Sequence, residues 1–476
     1  MSRLAHAMLK ARGQTQTGGR NMRNNTWAAA MVVVLGACAE WKTGGNIGGA
    51  NRGLKVAGNV PGGIRLAAGD VAVAGLGNMF AMRQDRGVVT GNTGEAKAQE
   101  LSAMPDAELL VFFTNGEGAF LGKRDGDAVV VKAWRKSDNA TLWETRVNAR
   151  AQNSRQLWMD LAKGGNSLVV TGQDVVVVNT VDGAIQASYR PQQEIHDVDI
   201  TKDGNSIILT EGTAGVASVT VERRSVDNPG SDVGACQATS ANCPGETELA
   251  RDDSVAFMAP TLCQQDPVSV FALGADTCEE KALMPGFGPV AMSPDGNTAA
   301  AFIDKNQLGF GMEVPSSVTD SKDRYHLMFI NVDTLGYTTV PAGDTMPRYA
   351  YTPDGSALLV DTPMDPFSTA RVLDLAHKTF RNFKGAPVKL HNFAFSLDGK
   401  KLFVRDDLLV EVDMTSLWTA LSRVDLVPDG LNVTSDGKTV VLGNLPQDRV
   451  HFVDAQEGTE RGSANTDRGG ATVATR

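Results

Sequence analysis

The sequence predicts an all-β fold, a seven-bladed β-propeller with eight blades as the alternative, carrying a disulfide-containing insertion. Three observations predict it. A turn built on glycine recurs between apolar runs at Gly126, Gly165, Gly204, Gly296, Gly355, Gly399 and Gly437. An aspartate turn follows each one, at Asp138, Asp182, Asp227, Asp333, Asp374, Asp413 and Asp454. Four of the five cysteines lie together in the stretch from Cys236 to Cys278, outside the repeat.

At the N-terminus, Trp27 to Leu35 is an apolar run far short of the roughly 20 residues that cross a bilayer as a helix. Arg23 precedes it, with Arg3, Lys10, Arg12 and Arg20 further upstream, so 1–37 reads as a secretion signal, with Met22 a second candidate start. Leu35-Gly36-Ala37-Cys38 resembles the lipobox of bacterial lipoproteins. The resemblance implies cleavage before Cys38 and lipid transfer to its thiol, since a thiol is the nucleophile that this chemistry needs. Two or three acyl chains then anchor a chain firmly where one would not, at ~0.8 kcal/mol per buried methylene. The expected location is the cell envelope, as an outer-membrane lipoprotein facing either the periplasm or the outside.

Removing 1–37 deletes those five basic side chains and no acidic one, taking the formal charge from -10 to -15. A phosphate backbone would repel such a chain, so nucleic acid is not an expected partner. Residues 38–107 are expected to form a lipidated, glycine-rich tether and an irregular segment, with a short helix near Glu95 to Met104.

The repeat occupies 108–455. Asp-Gly between alternating apolar runs is a strong hairpin signal, because glycine accepts the positive φ of the turn. Two turns per unit of about 40 residues make two hairpins and four strands. A sheet that is apolar on both faces must stack on its neighbours, and radial stacking gives a propeller. The turns at Asp295 and Asp354 resemble those of TolB-like and YVTN-like propellers, and DNATLWETRV at 138–147 is similar to the Leu-Trp motif of quinoprotein-type blades, including the outer-membrane assembly lipoprotein BamB. Glu108 to Phe113 is expected to close the ring as the outer strand of the last blade, and 456–476 to be a disordered tail.

The stretch from Asp227 to Gly296 is about 45 residues longer than its counterparts, which defines an insertion at 231–285. It contains Cys236, Cys243, Cys263 and Cys278. Four cysteines allow three pairings, and short loops favour Cys236 with Cys243 and Cys263 with Cys278. A second insertion covers 306–326. Both fall on one loop face, which is therefore the expected protein-binding surface. The residues opening the inner strands share that face and give His196, Asp197, Arg348, His391 and Asp429 as channel-mouth candidates. His196 and His391 are expected far apart across the channel, so no shared metal ion follows.

No adjacent cysteines, phosphate loop or Ser-His-Asp arrangement stands out, so no cofactor and no catalytic residue are assigned. The expected function is a lipid-anchored protein-binding scaffold with an envelope protein as partner. Alternatives are an outer-membrane protein assembly scaffold resembling BamB, and a small-molecule-binding or hydrolytic, lactonase-like propeller.

Overall fold

Runs such as Ser167–Thr171 and Val175–Asn179 lack a polar face because both of their faces are buried. Leu168, Val170, Val176 and Val178 pack to one side with Leu109, Val129 and Val147, while Val169, Val175 and Val177 pack to the other with Ile195, Ile207 and Leu209. Alternation along a strand sorts the side chains between two neighbouring sheets. Each fully buried valine contributes ~2 kcal/mol of hydrophobic stabilisation.

The computed structural model describes 64–65 and 71–465, apart from 75–78, 85–86, 96, 151–156, 214–218, 232–233, 239–243, 261–266, 275–276, 309–311, 363–368, 391, 397, 406–408, 422–429, 435 and 445–448. The chain divides into 1–42, which lies outside those residues, and 43–476, which holds all the described strands. They form nine antiparallel sheets. Blade one runs from Val71–Val73 to Lys97–Glu100, blade two from Leu109–Phe112 to Ala140–Val147, and blade three from Trp158–Ala162 to Ile185–Tyr189. Blade four runs from Ile195–Ile200 to Ala235–Ala238, blade five from Gly245–Leu249 to Cys278–Met284, and blade six from Phe287–Met292 to Tyr337–Gly343. Blades seven, eight and nine run from Arg348–Tyr351 to Thr379–Asn382, Asn392–Phe395 to Trp418–Leu421, and Gly430–Val433 to Glu460–Asn465.

Nine apolar clusters fill the nine seams between successive blades. The cluster joining Val71, Phe80 and Met82 of blade one to Val441, Val450 and Phe452 of blade nine closes the ring. First strands of neighbouring blades approach one another, which places them nearest the axis.

The count therefore corrects seven blades, or eight, to nine, and both additional blades have a local reason. Blade five occupies the expected insertion at 231–285. Its first hairpin turns at Asp252-Asp253-Ser254, where Ala250 N–H donates to Val255 O at 2.9 Å, as Thr201 N–H does to Ser206 O at 3.0 Å in the recognised turn of blade four. Asp253 takes the glycine position with φ 58°. Aspartate is among the few residues that tolerate this conformation, and it hid the turn. Blade one lies inside the expected tether. Its first hairpin, in VAVAGLGNMF, contains no aspartate, and Lys97–Glu100 is its outer strand rather than part of a helix.

Blade two corrects two more expectations. Its first turn centres on Gly116, so Gly126 lies between the second and third strands. Leu109–Phe112 is the first of its own four strands, with Ile64–Arg65 paired along it, and does not complete blade nine. Blade nine has its own outer strand, Glu460–Asn465, within the expected tail. All seven aspartate turns join third to fourth strands, as expected.

Candidate functional site: the loop face and the rim of blades two and three

Strands leave the glycine turns and end on the opposite loop face, where the candidate residues sit. His196 is half-buried in the inner strand of blade four, with Nε2 2.9 Å from Gly212 O. Its neighbour Asp197 is buried and accepts the backbone N–H of Thr247 at 2.8 Å, tying blade four to blade five. In the inner strand of blade seven, buried Arg348 donates through Nη2 to Asp361 Oδ2 at 2.7 Å. The Asp197 bond joins two blades, and the His196 and Arg348 bonds each join two strands within a blade. His391 and Asp429 lie outside the described residues, as do Cys38, Cys243 and Cys263.

Asp361 ends a second strand, and Glu211 and Asp304 end the second strands of blades four and six. All three carboxylates are buried. Two are met by arginine: Arg324 donates to Asp304 through Nε at 3.0 Å and Nη2 at 2.6 Å, and Arg348 serves Asp361. At Glu211 the available arginine is engaged elsewhere. Arg224 donates to Glu222 at 2.7 Å, to Tyr189 Oη at 2.6 Å and to the Pro229 carbonyl at 2.9 Å. Burial, and then the charge of Glu222, push the Glu211 carboxyl up to about 8. One Glu211 oxygen has no hydrogen-bond partner among the described residues. Sequence reasoning missed Glu211, because the last residue of SIILTE reads as an ordinary solvent-facing strand end.

The Arg324–Asp304 pair pins the base of the expected insertion at 306–326, which does connect the second and third strands of blade six. Its single helical turn, Ser316–Thr319, buries Val318 in the seam between blades five and six. The insertion therefore stabilises that seam as well as covering the loop face.

The disulfide joins Cys236 to Cys278, with Cα atoms 5.2 Å apart. This replaces both expected pairings. The two cysteines lie on the outer strands of blades four and five, so the bond crosses a seam rather than closing a short loop. The sequence could not show this while blade five read as an insertion.

Large apolar side chains reach solvent at the rim. Among the described residues, those exposed are Leu142, Val181, Ile185 and Trp418, the first three on the outer strand of blade two and the outer hairpin of blade three. The outer strand of blade two leans on the last turn of blade three: Trp143 Nε1 donates to Thr180 O at 2.9 Å and Thr145 Oγ1 to Gly183 O at 2.6 Å. Leu142 adjoins Trp143, and Val181 and Ile185 flank Gly183. A side chain at Gly183, which has φ 75°, would collide with Trp143 and Thr145, so glycine permits this contact.

No protein-family description matches the chain, and no curated protein does. Solved structures do. A eukaryotic initiation factor is similar over 84% of this chain and 97% of its own, at 11% identity and a TM-score of 0.53. Dihydro-heme d1 dehydrogenase NirN in complex with DHE aligns over 76% of this chain and 74% of its own, at 12% identity and a TM-score of 0.46. BamB from Moraxella catarrhalis aligns over 83% and 96%, at 11% identity and a TM-score of 0.40. Likeness at these identities shows the fold, a β-propeller, and leaves function to the residues.

Proposed function

We propose that this chain is a protein-binding propeller scaffold, anchored by lipid at Cys38 to the bacterial cell envelope. The observation that carries the binding reading is the rim of blades two and three, where Leu142, Val181 and Ile185 stand exposed on strands and turns held in place by Trp143 and Thr145. Exposed apolar side chains on two neighbouring blades that are bonded to each other favour a binding surface, since large apolar patches mark interaction sites. The partner is an envelope protein that offers an apolar face to this rim. The anchor reading rests on Leu35-Gly36-Ala37-Cys38 and the apolar run before it.

Two experiments in intact cells test the two halves separately. A photo-crosslinker at Leu142 should trap a discrete partner, and Val181→Asp with Ile185→Asp should abolish that product while the ring stays folded. An undiminished crosslink in the double variant would remove the rim from the reading. Cys38→Ala should move the protein from the membrane to the soluble fraction, and retention at the membrane would refute the lipid anchor.

A further inference from the structure

His326 is the second residue of Tyr325–Asn331, the third strand of blade six, and it is fully buried. Neither of its ring nitrogens has a hydrogen-bond partner among the described residues. Other histidines differ: His196 Nε2 lies 2.9 Å from Gly212 O, His377 Nδ1 3.1 Å from Asp374 Oδ1, and His451 Nδ1 2.8 Å from Glu460 Oε1. A neutral imidazole can be buried in this way at a modest cost. An imidazolium is a charge with two donors, and here it would find no acceptor.

Strand alternation puts His326 on the face that carries Met328 and Ile330, opposite Ile303 of the second strand and beside Pro341 of the fourth. That face is the seam with blade five, where Phe257, Ala259, Val268 and Met284 pack against Ile303 and Met328. The insertion covers the same cluster from the loop face. Within 312–324 most residues are exposed or half-buried, and Val318 alone is buried, in this seam. Lys305 Nζ donates to Ser321 O, and Tyr337 Oη donates to Glu313 O at 3.5 Å.

The charges that act on the ring come from the insertion and its base: Asp323 and Lys305, of opposite sign. Arg324 and Asp304 are bonded to each other, and burial pushes the Tyr337 hydroxyl up, so it stays neutral. On this side of blade five the carboxylates stand elsewhere along the sheet, Glu246 and Glu248 on the inner strand and Glu279, paired with Lys281, at the glycine-turn end of the outer strand.

We propose that His326 is an acid-sensitive latch beneath the insertion of blade six: proton uptake by its imidazole lifts 312–324 from the seam and opens the loop face between blades five and six. The insertion is the part that yields, because one buried side chain and a few hydrogen bonds hold it, whereas the strands beside the ring belong to complete four-stranded sheets. Burial keeps the closed imidazole below its ordinary value, and lifting 312–324 restores that value, about 6.5. The closed form therefore keeps its full stability above about 6.5 and loses up to about tenfold per unit as pH falls. Glu211 responds in the opposite sense, since acid favours its buried form, and cannot mimic this opening.

Hydrogen–deuterium exchange of the full chain at about pH 7.5 and about pH 5, corrected for the intrinsic effect of pH, tests the latch. The amides of Val318, Asp320 and Ser321, which donate to Pro315 O, Ser316 O and Val318 O, should exchange up to about thirtyfold faster at the lower pH. Strands Ser167–Thr171 and Val175–Asn179 of blade three should not change. His326→Leu should abolish the increase. Exchange of the imidazole C2 hydrogen in the parent should place the titration of His326 below the ordinary histidine value, a reading that needs no variant to fold. The proposal is overturned by equal corrected rates at both pH values, by an increase shared with blade three, by an increase that persists in His326→Leu, or by a His326 that titrates at or above the ordinary value.

Discussion

The carboxylate of Asp253 accepts the amide proton of Lys202 at 2.6 Å across the seam between blades four and five. In the two adjoining seams, between blades three and four and between blades five and six, a glycine carbonyl accepts the corresponding proton. Asp253 thus supplies both the left-handed turn and the tie. Asp253→Ala keeps the unfavourable φ and loses the charge-assisted bond, so stability should fall by about 2–3 kcal/mol. Asp253→Gly relieves the backbone and should lose less. Urea denaturation of the two variants gives the order, and a more stable Ala variant would contradict it.

Cys236–Cys278 closes a loop with a sequence separation of 42 across two blades. Chain-entropy reasoning gives such a bond about 4 kcal/mol at most. Cys236→Ser or Cys278→Ser should lower the urea midpoint, the loss concentrating in blades four and five. Peptide mapping without reduction should recover Cys236 joined to Cys278; a peptide joining Cys236 to Cys243 would refute the arrangement.

Glu211 gives stability a slope with pH. Its carboxyl is raised from 4.5 to about 8 by burial and by Glu222, so between those values the folded chain holds a proton that the unfolded chain has released. The contribution of this group is therefore fully present below about 4.5 and is lost as pH rises to about 8. Glu211→Gln should match the parent near the acidic end of this window and exceed it above pH 8. Denaturation curves across the window compare the two slopes, and parallel slopes would count against a protonated Glu211.

Arg348 and Asp361 form a buried pair on the inner and second strands of blade seven. Removing one partner strands the other charge, and Asp361→Asn should cost about 3–5 kcal/mol. Arg348→Met with Asp361→Leu should recover most of that loss. A harmless single substitution would show that water already screens the pair.

Most hairpins were legible because their turns require glycine or a backbone-bonded aspartate. Six of the seven glycine turns join first to second strands, and Gly126 was misplaced by one strand. The missing blades failed the same test for opposite reasons. In blade five an aspartate occupies the glycine position, and in blade one glycines stand without an aspartate. Site residues were less legible. His196, Asp197 and Arg348 were placed correctly at inner-strand ends, yet their partners lie on other strands or blades, which spacing along one strand cannot reveal. Glu211 looks unremarkable in sequence because its character comes from burial between blades.

The junction between blades one and nine depends on timing as well as packing. Asn432 donates its side-chain amide to Val71 O at 3.3 Å, a contact 361 residues apart in the chain. During synthesis at about 5–20 residues per second, blade one therefore waits on the order of 20–70 s for the surface that covers it. Until then Val71, Phe80 and Met82 remain an unsatisfied apolar face, so the youngest part of the nascent chain protects the oldest. A chaperone that shields emerging apolar strands should matter most for this protein in that interval.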